Sequence, residues 1–288
     1  MGESSILVAT KSEVREQITE AKAAGKTVGF VPTMGALHPG HLRLVEEARG
    51  LSDFVVVSIF VNPTQFGPGE DLSKYPRTLE PDRRLCELGG ASLIFAPTAE
   101  EVYPSGGLST FVEVPAISSI LEGASRPGHF RGVATVVLKL LHIVQPDLAL
   151  FGQKDYQQLL VIRQMVKDLD VPVEIISVPT MREADGLAMS SRNRYLNAED
   201  RAAAVVLSQA LAEATTAVKA GERSADRVRQ ILRSRIELES RAQLDYAEVA
   251  DASTLERIER LGEGRLAVAL IATRVGPARL IDNALLSE

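Results

Sequence analysis

Pro32-Thr33-Met34-Gly35-Ala36-Leu37-His38-Pro39-Gly40-His41 is the stretch on which the reading of this chain turns. An apolar run at 27–31 precedes it and an amphipathic stretch at 40–50 follows, so it reads as the turn between a strand and a helix. In a parallel sheet such turns leave from the carboxyl edge of the strands, where ligands bind. The helix start offers unpaired N–H groups and the positive end of its dipole to an anion. His38 and His41, three apart in the first turn, can point to one side, and Gly40 lets a phosphate approach the backbone. Imidazoles placed there could donate hydrogen bonds to a phosphate whose charge grows in a transition state. A helix cap with two surface histidines accounts for the local pattern equally well. A zinc site is the weaker account, since no further Cys or His stands at ligand spacing.

On either side of this turn the same alternation continues. Strands are expected at 27–31, 54–61, 92–95, 148–151 and 174–178, and helices at 12–24, 40–50, 79–88, 132–144 and 156–169. Strands alternating with amphipathic helices predict an α/β fold: a Rossmann-like parallel sheet with helices on both faces. After residue 185 the texture changes. Two Ala/Arg/Glu-rich helical stretches, 198–220 and 224–240, precede apolar runs at 244–250, 265–273 and 279–282. That order predicts a smaller C-terminal α+β domain, so we expect residues 1–184 to bind nucleotide and substrate and residues 185–288 to form a lid.

Composition narrows the function. At 288 residues, 45% hydrophobic and 24% charged, the chain can bury a sizeable core, which excludes disorder. A net charge of -6 and a pI near 5.4 argue against an electrostatic grip on nucleic acid and for small-molecule work. Cys86 has no second cysteine to pair with, which excludes a disulfide scaffold and fits a reducing compartment. No window approaches the ~20 apolar residues of a membrane span, and residues 1–12 lack the pattern of a secretion signal, so a cytoplasmic protein is expected.

Three further segments carry groups suited to a nucleotide. Asp185-Gly186-Leu187-Ala188-Met189-Ser190-Ser191-Arg192-Asn193 sets hydroxyls beside a guanidinium, a combination that suits a leaving pyrophosphate and equally describes a linker ending in a helix cap. Phe151-Gly152-Gln153-Lys154-Asp155-Tyr156-Gln157-Gln158 stands at another strand end; Lys154 can reach phosphate, and Asp155 can accept from a ribose or simply cap a helix. Ser58-Ile59-Phe60-Val61-Asn62-Pro63-Thr64-Gln65-Phe66-Gly67 delivers Asn62 and Gln65, neutral amides that bind hydroxyls, although an Asn-Pro turn explains Asn62 as well. Arg126-Pro127-Gly128-His129-Phe130-Arg131-Gly132 adds bases and a histidine ahead of a helix, or a solvated turn. Neither a Gly-x-Gly-x-x-Gly after a strand nor a Walker-type Gly-Lys-Ser/Thr occurs, so dinucleotide and P-loop ATP binding are not supported.

Taken in order and spacing, these segments, with Tyr75-Pro76-Arg77-Thr78, resemble those of the pantoate–beta-alanine ligases, nucleotidyltransferase relatives with a His-x-Gly-His motif. The resemblance covers essentially all of the first domain; the last ~90 residues match in length and texture only. It implies an ATP-dependent ligase that condenses pantoate with β-alanine through a pantoyl adenylate, releasing pyrophosphate and then AMP to give pantothenate. By motif, His38 and His41 would stabilise the reacting phosphates, and Lys154, Ser190, Ser191 and Arg192 would hold the phosphate chain. Asp155 and Gly152 would face the ribose, Met181 and Met189 would lie near the adenine, and Met34 and Gly35 would line the nucleotide site. Gln65 and Gln158, with Met34 and Phe60, would form the pantoate pocket, and Asn62 would face the second-step amine. Magnesium is expected with the ATP, held mostly by its oxygens. Where many relatives carry two adjacent acids this chain has Pro81-Asp82, so Asp82, with Glu80 close by in sequence, is the expected support for the metal or amine. A homodimer is the family's usual state. The competing readings are an adenylyltransferase acting on a phosphorylated substrate, a metal hydrolase built on His38 and His41, and a catalytically silent nucleotide-binding module.

Overall fold

The computed structural model describes residues 5–107, 109–262 and 264–287; the first four residues of the stretch read for a secretion signal lie outside it. The chain divides into two compact units, one comprising Met1–Gln153 and Val161–Pro179, the other Lys154–Leu160 and Thr180–Glu288.

The first unit is built on a six-stranded parallel sheet of β1 (Ile6–Val8), β2 (Val28–Thr33), β3 (Phe54–Ile59), β4 (Leu93–Phe95), β5 (Leu148–Gly152) and β6 (Glu174–Val178), in the order β1-β4-β3-β2-β5-β6. The helices are α1 (Lys11–Ala23), α2 (Pro39–Leu51), α3 (Leu79–Gly89), the single turns α4 (Ala99–Val102), α5 (Pro115–Ser118) and α6 (Glu122–Ser125), then α7 (His129–Val144) and the part of α8 (Tyr156–Asp168) from Val161 on, its start belonging to the second unit. Side chains alternate across the pleat. Val31, Val55, Val57, Ile94 and Leu150 pack against Leu44, Val45 and Ala48 of α2 and Cys86 of α3. The alternate residues Phe30 and Val56 are fully buried toward the opposite face, where α1 and α7 pack on each other and on β2. From β2 the chain moves outward through β3 in one direction, while β5 pairs on its other side. That reversal is the switch point at which open α/β sheets bind ligands.

Local chemistry fixes the helix ends. Thr10 and Glu13 form a reciprocal capping box on α1, and Gly90, at φ 86°, closes α3 with its N–H donating to the Cys86 and Glu87 carbonyls. The short edge strand β1 was not expected from sequence: its three residues include Ile6 and Leu7, 44% and 38% exposed, and show no alternation.

The second unit carries an antiparallel sheet, β7 (Ala242–Asp251), β8 (Ala267–Val275) and β9 (Ala278–Leu286), in that order. Helices α9 (Ala198–Ala203), α10 (Val206–Lys219) and α11 (Ala225–Glu237) precede it, and Leu207, Leu211, Val228, Leu232, Ile236, Val249 and Ile271 share its core. The helix expected over 198–220 is two helices: the Val205 N–H bonds the Ala202 carbonyl, and the ladder restarts at Val206. No proline or glycine marks that break. Among the described residues, no helix is long and apolar enough to cross a membrane.

Candidate active site

The turn after β2 is held from within and from a distance. His38 is the N-cap of α2, with Pro39 at its first position, where a missing N–H costs nothing. The Gly40 N–H donates to His38 Nδ1 at 3.1 Å, and the His38 N–H donates to His41 Nδ1 at 3.3 Å. This is a capping box with imidazoles in place of the usual hydroxyl and carboxylate. It has a chemical consequence. A neutral imidazole carries one proton, and because Nδ1 accepts in both rings, that proton sits on Nε2. Each ring is thereby set in the tautomer that donates through Nε2, and the two lie with centroids 4.1 Å apart, tilted by 46° to each other.

The distant support is Asp82, in the first turn of α3 and 1% exposed. Its Oδ2 accepts from the Ala36 N–H at 2.9 Å and the Thr78 hydroxyl at 3.2 Å, and its Oδ1 accepts from the Leu37 N–H at 2.8 Å. For two successive N–H groups to face one carboxylate, the backbone turns left-handed at both Gly35 (φ 81°) and Ala36 (φ 51°). A side chain at position 35 would place its Cβ 3.0 Å from Asp82 Oδ2 and 3.1 Å from Ile59 Cγ2. Both oxygens of Asp82, the residue expected to support a metal or the amine, accept hydrogen bonds from the turn that presents the histidines. Among the described residues, no group of three or more His, Cys, Asp or Glu could hold a metal ion.

After β3, the 3-10 turn Pro63–Gln65 delivers the amides. Asn62 is 1% exposed and saturated. Its Oδ1 accepts from the Tyr103 hydroxyl at 2.7 Å and from the N–H and hydroxyl of Thr64, while its Nδ2 donates to Gln65 Oε1 at 3.0 Å and to the Gly132 carbonyl at 3.3 Å. Asn62, expected toward the second-step amine, brackets Gln65. Gln65 Nε2 lies 3.0 Å from Met34 Sδ, and Phe60 meets Tyr103 with ring centroids 6.1 Å apart. Of the four residues expected around pantoate, Met34 and Gln65 are thus in contact, while Phe60 packs on Tyr103, whose hydroxyl donates to Asn62. The fourth, Gln158, is half-buried on α8 in the second unit.

At the end of β5, Gly152 belongs to the first unit, whereas Lys154 and Asp155 open the second. Lys154 Nζ is 3.8 Å from Asp155 Oδ1, and the Lys154 carbonyl accepts from Asn283 Nδ2 at 2.8 Å. In the same unit, residues 181–189 form a hairpin in which the Met189 N–H donates to the Met181 carbonyl at 3.0 Å, so the two methionines lie side by side. Ser190 caps the 3-10 turn Ser191–Tyr195 by accepting from the Arg192 N–H at 3.3 Å. Asn193 Nδ2 ties that turn to the hairpin through Glu183 Oε1 (2.8 Å) and the Ala188 carbonyl (3.1 Å), and Arg201 grips both Glu183 and Asp185. The Arg201 hydrogen bond is the first reason the Asp185 carboxyl is held below its usual range.

Sequence reasoning had no role for Tyr103 and left Glu70 unremarked. Cys86 has none in the chemistry: it is buried, and burial, with Asp82 and Glu87 nearby, pushes its thiol up to about 12.

The fold is that of an α/β enzyme, and its two oriented imidazole donors stand at the turn after β2, at the strand ends where such sheets bind ligands. Residues 6–285 match the family model for pantoate-beta-alanine ligase, and the chain belongs to that family. It is 55% identical over 275 residues to the pantothenate synthetase of Desulfitobacterium hafniense strain DCB-2, covering 96% of each chain. It is 52% identical over 280 residues to that of Moorella thermoacetica, covering 97% of this chain and 98% of the relative. The crystal structure of pantothenate synthetase from Thermus thermophilus superposes with a TM-score of 0.92 at 46% identity, covering 98% of this chain and all of that one. A ligase from Francisella tularensis, solved with β,γ ATP and β-alanine, matches with a TM-score of 0.78 at 35% identity over 98% of this chain and 97% of its own.

Proposed function

We propose that the enzyme forms pantothenate in two steps, with ATP as the source of activation. A carboxylate oxygen of pantoate attacks the α-phosphorus, and the bond from that phosphorus to the bridging oxygen of pyrophosphate breaks. The β-alanine amine then attacks the acyl carbon, loses its proton, and expels AMP. The observation that carries this reading is the reciprocal cap, which aims two Nε2 donors from the positive end of α2; such donors favour a phosphate whose charge rises, without removing a proton from anything. The Francisella relative's complex supports ATP and β-alanine as substrates here too.

Lys154, Ser190, Ser191 and Arg192 are assigned to the phosphate chain. Ser190 has its oxygen occupied as a cap, which leaves its O–H as a donor. Gly35 and Met34 are assigned to the nucleotide, as are Gly152 and Asp155 at the ribose and the paired Met181 and Met189 at the adenine. Gln65, Met34, Phe60 and Gln158 are assigned to pantoate, whose hydroxyls need amides beside apolar walls. Magnesium is assigned to the nucleotide substrate, held mostly by its oxygens, because a triphosphate needs its charge neutralised before an anionic carboxylate approaches.

The test is substrate dependence. Exchange of labelled pyrophosphate into ATP is expected to require pantoate but not β-alanine, and net AMP release to require both. Exchange in the absence of pantoate would exclude a pantoyl adenylate.

A further inference from the structure

The first turn of α7 is clasped onto the Pro63–Gln65 turn at two points. Gly132 accepts from Asn62 Nδ2 through its carbonyl and approaches so closely that a Cβ there would lie 2.4 Å from the Thr64 carbonyl oxygen and 2.7 Å from Gln65 Cα. One turn earlier, His129 Nδ1 lies 2.8 Å from the Gln65 carbonyl oxygen. The other ring nitrogen, Nε2, is 3.0 Å from Arg126 Nη1. A guanidinium can only donate, so Nε2 accepts, Nδ1 carries the proton, and the ring donates to Gln65. Arg126 is in turn fixed by a two-pronged pair with Glu70, Nε to Oε1 and Nη2 to Oε2, both at 2.7 Å. The tautomer of His129 is thus the opposite of the one set in His38 and His41.

We propose that His129, oriented by Arg126 and Glu70, is a positioning residue for the hydroxy acid substrate: it pins the backbone of Gln65, while Asn62 holds the Oε1 of the same residue, so that the amide is set before the acid arrives. The inference rests on the reading of Gln65 as an acid-binding amide. Each step of the path Glu70, Arg126, His129, Gln65 joins a donor to an acceptor, and the path ends on a binding residue. Burial, with Arg126 adjacent, lowers the His129 pKa to about 4, which keeps the ring neutral and the relay intact at neutral pH.

Three variants and a spectrum test it. In pyrophosphate exchange, His129→Ala should raise the pantoate KM by about tenfold and leave the ATP KM within about twofold. His129→Asn, whose Nδ2 can donate where Nδ1 did, should recover most of the loss. An unchanged pantoate KM, equal rises for both substrates, or an Asn variant no better than Ala would overturn the proposal. If His129→Ala does not fold, Glu70→Gln carries the same test with a rise of about threefold in pantoate KM alone. If the wild-type exchange does not depend on pantoate, the functional reading has failed. The relay is then judged without substrate: nitrogen-labelled histidine spectra should show His129 as the Nδ1–H tautomer at neutral pH. The Nε2–H form there would refute it.

Discussion

The histidine turn of the first unit and the 189–193 segment of the second are both short polar stretches ahead of helical turns, yet they are held in opposite ways. The first hangs on a buried carboxylate: Asp82, 1% exposed, accepts two successive backbone N–H groups, and the imidazoles cap the helix themselves. The second hangs on side chains at the surface, where Asn193 leans on Glu183 and Glu183 on Arg201, whose side chains are 33% and 25% exposed. Buried acceptors do not yield to salt and resist displacement, whereas exposed ion pairs are screened and cost little to rearrange. A group that must meet a developing charge at fixed geometry gains from the first arrangement, and a group that must take hold of a substrate and release it gains from the second.

The sharpest way to break that contrast is Asp82→Ala. It removes the carboxylate to which the Ala36 and Leu37 N–H groups donate, at about 3 kcal/mol of stability, and frees the turn that carries His38 and His41. Urea unfolding should show that loss undiminished in 1 M salt, and adenylate formation should collapse with it. Asp82→Asn tests the same point by shape: the amide NH2 must face one of the two donors, so stability should fall although the volume is unchanged.

His41→Gln separates chemistry from structure. Glutamine at this third helical position can still accept from the residue-38 N–H, as capping boxes commonly do, so the melting temperature should hold within a few degrees. The imidazole donor is lost, and single-turnover adenylation should slow by about a hundredfold. A variant that kept its adenylation rate would remove His41 from the reaction.

The third effect is a dependence on pH confined to the first unit. His129 titrates near 4 when folded against an ordinary 6.5, so between these values the unfolded chain binds more protons and stability rises with pH. The contribution is complete above about 6.5 and is lost as pH falls toward 4, where a charged ring would confront Arg126 despite Glu70 and Glu122 nearby. His129→Gln should flatten the stability profile across that window, and an unaltered slope would place the effect elsewhere.

Particular residues show why some of this was legible in the chain and some was not. Strand β6 was expected at 174–178 and is found there, and α1 and α3 fall within a residue or so of their expected bounds, because apolar period and capping residues are local signals. Strand β1 offers two exposed residues, one buried one and no period, so only its pairing with β4 makes it a strand. His38 and His41 stood out because their spacing is itself the geometry. The work of Asp82 could not be read, since its partners lie 45 and 46 positions away and a proline before it in α3 suggests only a helix start. Asn62 shows the converse: the turn-forming part of its reading is visible in its Thr64 bonds, but its side-chain bonds to Tyr103 and Gly132 join parts of the chain that sequence did not connect.

The smallest effect bears on the second segment, and there salt decides. Arg201→Ala removes the grip on Glu183 and Asp185, both part exposed, so about 1 kcal/mol or less of stability is at stake. In low salt the variant should melt slightly below the wild type. In 1 M salt, where the screening length falls to about 3 Å, the two should converge. The Asp185 carboxyl, lowered by Arg201, adds a check on sign: its share is present above its ordinary value of 3.8 and is lost as pH falls through the lowered one. If instead the difference between Arg201→Ala and wild type persisted undiminished in high salt, the 189–193 segment would be held as firmly as the histidine turn, and the division of labour drawn from their contrast would fail.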